Sequence, residues 1–313
     1  MVDYLDDRNL VFDRAAVRHH RARALGNHDN PLFSEVAERL ADRLLDVRRR
    51  FTLGLDLGTR DGHCIKAITA TGRVEQLVQC DSSPKGLIAA GGSNLPTFAA
   101  VADEEMLPFA AESLELVTSS LTLHWTNDLP GVLAQLRRAL KPDGLLLAAL
   151  FTGDTLRELR STLTEAEVAE RGGASPHVSS FVDGAEAGSL LQRAGFALPV
   201  VDVDTLRLTY TDAFALMHDL RAMGETNALR LRDRAFARRD VFLRAADLYA
   251  QRFGLPDGRI PATFQIAFLT GWSPAADQQR PLPRGSAVTR LADALGTEEL
   301  SSGEKAGEPE TEQ

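Results

Sequence analysis

The sequence predicts an α/β fold in which helices cover both faces of a mostly parallel, doubly wound sheet of seven strands. Short apolar segments alternate with amphipathic segments from residue 51 onward, a pattern typical of parallel sheets. The first apolar segment, residues 51–57, stops at Gly58, as a buried strand does before a ligand-binding turn. With 313 residues and 44% apolar content, the chain can bury such a sheet.

Two helices are expected before the sheet. One covers residues 10–25 and is rich in arginine and histidine, so it is either a solvated helix face or a lid or docking segment. The other runs from Ser34, the expected N-cap, to about Val47. Strands are expected over residues 51–57, 74–80, 97–101, 114–121, 145–151, 200–210 and 262–269, with helices over 84–90, 129–140, 156–170 and 185–194 and a turn at 141–144.

The chain divides into three expected regions. Residues 1–50 are an N-terminal helical segment or lid, and residues 51–272 are the sheet domain, with a mostly helical insertion at 212–253 before the last strand. Residues 273–313 form a C-terminal tail, whose last part, 298–313, holds six glutamates against one lysine. Because such a composition buries little apolar surface, we expect the tail to be largely disordered.

Composition narrows the class of protein further. The two cysteines, Cys64 and Cys80, form neither a disulfide framework nor a zinc-finger spacing. The acidic start is unlike a targeting peptide, and no apolar run approaches the roughly 20 residues that cross a bilayer. We therefore expect a cytoplasmic protein with no transmembrane segment and no nucleic-acid partner, and the sequence leaves its oligomeric state open.

Acidic residues and glycines follow three successive strands. Asp56, Gly58 and Gly62 lie at the end of the first, Asp81 lies at the end of the second, 25 residues after Asp56, and Asp103 follows the third. Carboxyl ends of strands form the ligand site in doubly wound folds, and an acid near this offset accepts hydrogen bonds from ribose hydroxyls. The full G-x-G-x-x-G motif for a pyrophosphate is missing, which favours a nucleoside ligand without phosphates over a nicotinamide dinucleotide.

Residues 55–62, Leu-Asp-Leu-Gly-Thr-Arg-Asp-Gly, resemble the first motif of class I S-adenosylmethionine-dependent methyltransferases. Asp81 and residues 102–109 resemble their later acidic motifs. From about residue 12 to residue 287, the chain more closely resembles the mitochondrial complex I assembly factors that act as arginine hydroxylases. Seven segments carry this resemblance: residues 119–130, 140–144, 153–156, 175–177, 223–227, 261–265 and 284–287. The malonyl-carrier-protein methyltransferases of biotin synthesis are more distantly similar.

The resemblance implies a Rossmann-like sheet, S-adenosylmethionine as cofactor and a protein substrate such as a complex I subunit. The expected cofactor-binding residues are Asp56, Gly58, Thr59, Gly62, Asp81, Asp103, Glu104 and Ser119. One residue departs from the family pattern, because Arg60 stands where the loop usually has glycine. Its side chain either hinders the methionine part of the cofactor or pairs with its carboxylate.

The residues after the fourth strand are the candidates for chemistry. His124 is the candidate base, and Trp125 is expected to pack on a substrate or on adenine. Asp154 either attracts a cationic acceptor or caps the helix that follows it. Asn127, Asp128 and His177 are expected to extend the pocket. None of the seven histidines belongs to a His-x-Asp or His-x-Glu pair, so no local iron-binding signature is present and no metal is predicted.

Three functions remain open at this point. The first is an enzyme that acts on a protein, by methyl transfer or by arginine hydroxylation. The second is a non-catalytic assembly factor that docks through the arginines of the insertion: Arg230, Arg232, Arg234, Arg238 and Arg239. The third is a methyltransferase for a small molecule or a carrier protein.

Overall fold

Strands and helices alternate in the computed structural model, which describes residues 10–26, 30–91, 94–235, 238–278, 286 and 289–298. Met1–Ala276 form one unit and Asp277–Gln313 a second. Within the second unit, the described residues include a short helix at Leu291–Leu295, in the segment expected to be largely disordered. The remaining tail residues 299–313 lie outside the described part of the chain, as does most of the 284–287 motif.

Seven strands form one sheet within the described residues, in the order β3-β2-β1-β4-β5-β7-β6. Strands β1 to β5 pair in parallel, and β7 is antiparallel to both β5 and β6. The predicted fold class is confirmed. The strands are β1 (Phe51–Leu57), β2 (Val74–Asp81), β3 (Thr97–Val101), β4 (Leu114–Ser120), β5 (Leu140–Phe151), β6 (Ala197–Tyr210) and β7 (Ile260–Trp272).

Helices cover both faces of this sheet, and none in the described ranges is long and apolar enough to span a membrane. Two of them, α8 and α9, form the insertion before the last strand, and residues 223–235 between them are not helical. The helices are α1 (Arg14–Ala24), α2 (Pro31–Leu45), α3 (His63–Ala70), α4 (Pro84–Ala90), α5 (Leu129–Ala139), α6 (Arg157–Arg171), α7 (Gly184–Arg193), α8 (Ala213–Ala222), α9 (Arg239–Phe253) and α10 (Leu291–Leu295).

The core lies on both sides of the central strands. Alternate residues of β5 face opposite layers: Leu145 and Leu147 pack with α2 and α9, whereas Leu146 and Leu150 pack with α5 and α7. All four are almost fully buried. Burial of each such side chain stabilises the fold by about 1.5–3 kcal/mol, so the sheet holds the strand ends rigidly.

Two local predictions were wrong. Helix α2 begins at Pro31, not Ser34, because the side chain of Asn30 accepts a hydrogen bond from the backbone N–H of Leu32 at 2.8 Å. Residues 141–144 are part of β5 rather than a separate turn. Leu140 already pairs with β4, and the irregular register there is absorbed at Asp143, whose φ is 59°.

Candidate functional site

Two buried carboxylates mark the ends of β1 and β2. Asp56 accepts a hydrogen bond from the Thr118 hydroxyl at 3.1 Å, but its Oδ2 atom is buried and has no partner among the described residues. Burial raises the pKa of Asp56 to about 6. Asp81 accepts hydrogen bonds from the backbone N–H groups of Arg60 and Ser83, at 3.1 and 2.7 Å. Both carboxylates therefore lie where the predicted cofactor site requires acceptors.

In the loop of residues 58–62, which follows β1, the two glycines are packed too closely against neighbouring residues to carry a side chain. Gly58 has a φ of 75°, and a Cβ atom there would lie 2.3 Å from the hydroxyl oxygen of Thr122. Gly62 has a φ of 84°, and its Cβ would lie 2.7 Å from the carbonyl oxygen of Ala90. Two further predicted cofactor residues, Thr59 and Ser119, donate to the carbonyl oxygens of Asp56 and Leu57 and so hold the backbone of the strand end.

Helix α1 lies against the acidic residues that follow β3. Arg14 donates to Asp103 at 2.8 Å and also to Glu104. Arg21 donates to the other oxygen of Glu104 at 3.0 Å and to the carbonyl oxygen of Thr122 at 3.2 Å. Glu104 is completely buried. The basic face of α1 therefore forms ion pairs with the acidic residues that follow β3. This favours the interpretation of α1 as a lid over its interpretation as a solvated helix face.

The side chain of Arg60 reaches from the loop after β1 to Leu121, at the end of β4, and to the insertion. Its backbone has a φ of 52°, in the left-handed region that usually favours glycine. Its guanidinium donates to Glu225 at 2.8 Å and to the carbonyl oxygens of Leu121 and Met223, and it lies over the ring of Phe33, 4.3 Å from the centroid. Arg60 thus links the cofactor loop to Glu225.

Glu225 also holds the two aromatic residues that follow β4. His124 Nε2 lies 3.1 Å from Glu225 Oε2, and the indole N–H of Trp125 donates to the same oxygen at 2.7 Å. Burial lowers the pKa of His124, although the charge of Glu225 opposes this. Burial would raise the pKa of Glu225, but the charge that His124 carries once it is protonated at acid pH, together with the charge of Arg60, lowers it to about 2.

The pKa shifts of His124 and Glu225 define the protonation state of this pair. Glu225 is ionised and can only accept, so His124 is neutral with its proton on Nε2. Its Nδ1 atom is buried and finds no hydrogen-bond partner in the described part of the chain. His124 is therefore a buried imidazole whose tautomer is fixed by a carboxylate.

A cavity of about 400 Å³ lies beside this pair. Its wall is largely aromatic and aliphatic and includes Trp125, Phe151, Phe181 and Phe264, with Glu225 as a buried acid. The ring of His124 packs on two of these walls, with centroids 4.7 Å from Phe151 and 5.8 Å from Phe181. Such a combination of apolar walls and a smaller number of polar and charged groups is typical of a substrate pocket.

The remaining predicted site residues have different positions. His177 lines the cavity, and its Nε2 lies 3.0 Å from Glu167. Asn127 exchanges hydrogen bonds with the backbone of Phe12, and Asp128 caps α5, so both are used structurally. Asp154 is outside the cavity wall: its exposed carboxylate pairs with Arg157 at 3.3 Å and does not cap α6, whose N-cap is Leu156.

Sequence reasoning missed Glu225, the central acceptor of the site. It lies in the 223–227 segment, which we used only as evidence of resemblance, and it is 101 residues away from His124. The only feature of the sequence that pointed to Glu225 was its position within the 223–227 segment. In the ranges that the structure describes, no group of three or more His, Cys, Asp or Glu side chains is placed to hold a metal ion.

The donor set fits S-adenosylmethionine. Asp81 offers a buried carboxylate at the ribose position of the fold, and the unpartnered Oδ2 of Asp56 is an acceptor for a cationic group. Gly58 has no side chain to cover the backbone at the turn after β1. Asp103 and Glu104 follow β3, where an adenine edge is expected, with α1 folded against them.

Comparison with known proteins agrees with this description. A family model described as a methyltransferase domain matches residues 55–148 and supports the S-adenosylmethionine prediction. The mitochondrial arginine hydroxylase NDUFAF5 of Danio rerio is 40% identical over 296 residues, which cover 93% of this chain and 92% of that protein. The malonyl-[acyl-carrier protein] O-methyltransferase of Laribacter hongkongensis is 37% identical over 285 residues, covering 88% and 91%.

A solved structure shows the same fold. The crystal structure of a proposed methyltransferase from Bacillus halodurans superposes with a TM-score of 0.54 at 16% identity, covering 76% of this chain and 99% of the other. At this identity the match concerns the fold alone. The resemblances inferred from the sequence, to the arginine hydroxylases and more distantly to the malonyl-carrier-protein methyltransferases, are confirmed.

Proposed function

We propose, since this chain belongs to the NDUFAF5 family of methyltransferase-domain proteins, that it is an S-adenosylmethionine-dependent enzyme that methylates an arginine side chain of a protein partner. When bound, the cofactor supplies an activated methyl group. Asp81 would hold its ribose hydroxyls, residues 103–104 would lie at its adenine, and Asp56 would accept from its amino group. The task left to the protein is to position the acceptor and to remove one proton.

The observation that carries this proposal is the buried His124–Glu225 pair. A guanidinium nitrogen that gains a bond to carbon must give up one proton in the same reaction. The Nδ1 atom of His124 has no hydrogen-bond partner among the described residues and would take that proton, while Glu225 would stabilise the imidazolium that results. The new bond between this nitrogen and the methyl carbon would form as the sulfur–methyl bond of the bound cofactor breaks, which leaves a neutral thioether, and the proton of the nitrogen would pass to His124.

The cavity walls support arginine as the acceptor. Aromatic faces and a buried carboxylate together bind guanidinium groups through cation–π contacts and charge-assisted hydrogen bonds. The protein already binds one guanidinium in this way, because Arg60 is held by Glu225, two carbonyl oxygens and the ring of Phe33. By family membership we assign the arginine to a subunit of respiratory complex I, and the sequence features given above are our reason to place the reaction in the cytoplasm.

Arginine hydroxylation is the second candidate. It is favoured by one observation, the 40% identity, over nearly the whole chain, to proteins named as arginine hydroxylases. That reaction adds oxygen and needs an oxidant from outside the described site. A non-catalytic assembly role is disfavoured, because three arginines of its docking surface already make ion pairs within the chain, Arg232 and Arg234 with the same carboxylate of Asp13 and Arg238 with Asp240.

Mass spectrometry of complex I subunits separates these candidates. Subunits would be compared from cells that lack the protein and cells complemented with the wild type or with His124→Gln. The proposal predicts an arginine that carries one extra methyl group only with the wild type. One extra oxygen atom would favour hydroxylation instead, and identical subunit masses in all strains would overturn both.

A further inference from the structure

The cavity beside His124 and Glu225 is larger than one arginine side chain requires. Its volume is about 400 Å³. A space of about 150 Å³ already accommodates a benzene ring, and the methylene and guanidinium groups of an arginine need only slightly more. An arginine bound at Glu225 would therefore leave about half of the cavity for a second group.

Helix α6 shows how far the cavity extends. Leu156, Leu159 and Leu163 line it with the three- and four-residue spacing of one helix face. Leu156 lies beside β7, next to the carboxyl end of β5, because its backbone N–H donates to the carbonyl oxygen of Thr263 at 2.7 Å. Leu163 is two turns further along the helix, so the cavity extends about 10 Å from the strand ends.

The far part of the cavity, lined by Leu163, Met217 and Phe242, is apolar and is formed by the three helices α6, α8 and α9. Leu163 is almost fully buried, whereas Met217 and Phe242 are only half-buried. An apolar group that replaces water against such a surface binds favourably, because apolar area is removed from water on both sides. The far part therefore favours an apolar ligand group.

The far part and Glu225 lie at different ends of the cavity. Arg244 of α9 pairs with Glu170, in the last turn of α6, at 3.0 Å, so Phe242 lies beside the C-terminal end of α6. The ring of Phe242 is 6.3 Å from the ring of His177. Glu225 instead contacts the residues that follow β4, at the strand ends. The two ends can therefore hold two different side chains of one ligand.

Polar side chains beside the far part already have partners. His177 Nε2 lies 3.0 Å from Glu167, and Asp233 is bound to Arg171 at 2.7 Å. A polar ligand group would compete with these pairs, and it would lose its own hydration against the apolar wall. An apolar group meets neither cost.

We propose that the far part binds a large apolar side chain, such as phenylalanine, that lies within three residues of the target arginine in the partner protein. A distance of about 10 Å corresponds to three residues of an extended chain. This inference rests on the proposed function, since the arginine held at Glu225 determines which neighbours reach the far part. Because both side chains belong to one segment, binding of the first gives the second a high effective concentration.

Fluorescence anisotropy with labelled nine-residue peptides tests the inference on the full chain. The reference peptide has a central arginine among serines, and six further peptides carry one phenylalanine, at each position within three residues of the arginine. All are titrated with the wild type, with Phe242→Ala and with Met217→Trp, which fills the far part instead of enlarging it. Phe253→Ala is the matched control, because Phe253 is also half-buried on α9 but is not among the described residues that line the cavity.

We expect at least one phenylalanine peptide to bind the wild type about tenfold more tightly than the reference peptide. Phe242→Ala and Met217→Trp should reduce this preference to less than about threefold, and Phe253→Ala should keep it. Equal binding of all seven peptides, no binding of any peptide, or an unchanged preference in either cavity variant would overturn the inference. A cavity variant that fails to fold is recognised by its loss of binding to the reference peptide, and the other variant then decides.

One more peptide separates this inference from the proposed function. It keeps the favoured phenylalanine and has glutamine in place of the central arginine. If it binds as tightly as its arginine counterpart, the arginine assignment fails and the apolar site stands. If arginine is preferred over glutamine while phenylalanine adds nothing, the apolar site fails and the proposed function stands.

Discussion

His124 Nε2 and Glu225 Oε2 lie 3.1 Å apart, with both side chains almost fully shielded from solvent. One residue follows β4 and the other follows α8, so the tertiary fold alone brings them together. Glu225 touches His124, Trp125 and Arg60 at once. It therefore joins the candidate base, a cavity wall and the cofactor loop in one buried group.

Replacement of Glu225 by glutamine tests its role as the residue that positions the base. We expect Glu225→Gln to lower kcat for an arginine peptide by about 10²–10⁴-fold, because the neutral amide does not stabilise protonated His124. Loss of the negative charge also moves the acid limb of the pH–rate profile to lower pH. A profile and kcat equal to those of the wild type would show that Glu225 only supports the fold.

The same carboxylate makes stability depend on pH. The pKa of Glu225 is lowered from 4.5 to about 2 in the folded protein, so the folded state binds its proton less readily than the unfolded state. Its contribution, on the order of 3 kcal/mol, is present above pH 4.5 and disappears as the pH falls towards 2. Urea unfolding between pH 6 and pH 3 should show this loss for the wild type and for Glu38→Gln, an exposed control, but a flatter curve for Glu225→Gln.

The pKa shift of Asp56 has the opposite sign to that of Glu225, and so does its effect on stability. Its pKa is raised from 3.8 to about 6, so it stabilises the fold below pH 3.8, and that stability is lost as the pH rises through 6. We expect Asp56→Asn to raise the free energy of unfolding at pH 7.5 by up to about 3 kcal/mol, because it removes an ionised group that burial disfavours. The gain should shrink at pH 4. A variant that is equally destabilised at both values would contradict this account of Asp56.

Packing of α1 on the turn after α8 can be tested at one glycine. Gly224→Ala adds a Cβ against the backbone of α1, whereas Gly172→Ala, at nearly the same φ of 74°, adds one in open space. Both variants carry the cost of positive φ, about 1 kcal/mol, and only Gly224→Ala should cost 1–3 kcal/mol more, from the clash. Thermal unfolding of the two proteins gives the difference. Equal losses would mean that α1 and α8 do not pack as described.

The sheet and the acids at its edge were predictable because each depends on local pattern. The sequence predicts strands over residues 51–57 and 74–80 with Asp56 and Asp81 at their ends, and in the structure the second strand extends one residue further, to Asp81. The partners of those acids were not predictable, since Arg14 meets Asp103 and Arg21 meets Glu104 only after α1 packs on the sheet. Asn30 was missed as a cap because Ser34 offers the same chemistry one turn later.

Arg60 illustrates the same limit at the site itself. Its departure from glycine is visible in the sequence, and both expectations for it concerned the cofactor. The structure instead pairs it with Glu225, 165 residues away. Long-range ion pairs of this kind are set by packing, which a single sequence does not encode in any local pattern.

Calorimetric titration with S-adenosylmethionine tests the central claim, a cofactor site at the strand ends, most directly. We expect the wild type to bind, and Asp81→Asn to bind about tenfold to a hundredfold more weakly, because a charge-assisted hydrogen bond contributes about 1.5–3 kcal/mol. Asp154→Asn, which changes an exposed carboxylate outside the cavity, should bind within about twofold of the wild type. No heat of binding with the wild type, or an unchanged affinity in Asp81→Asn, would contradict the account.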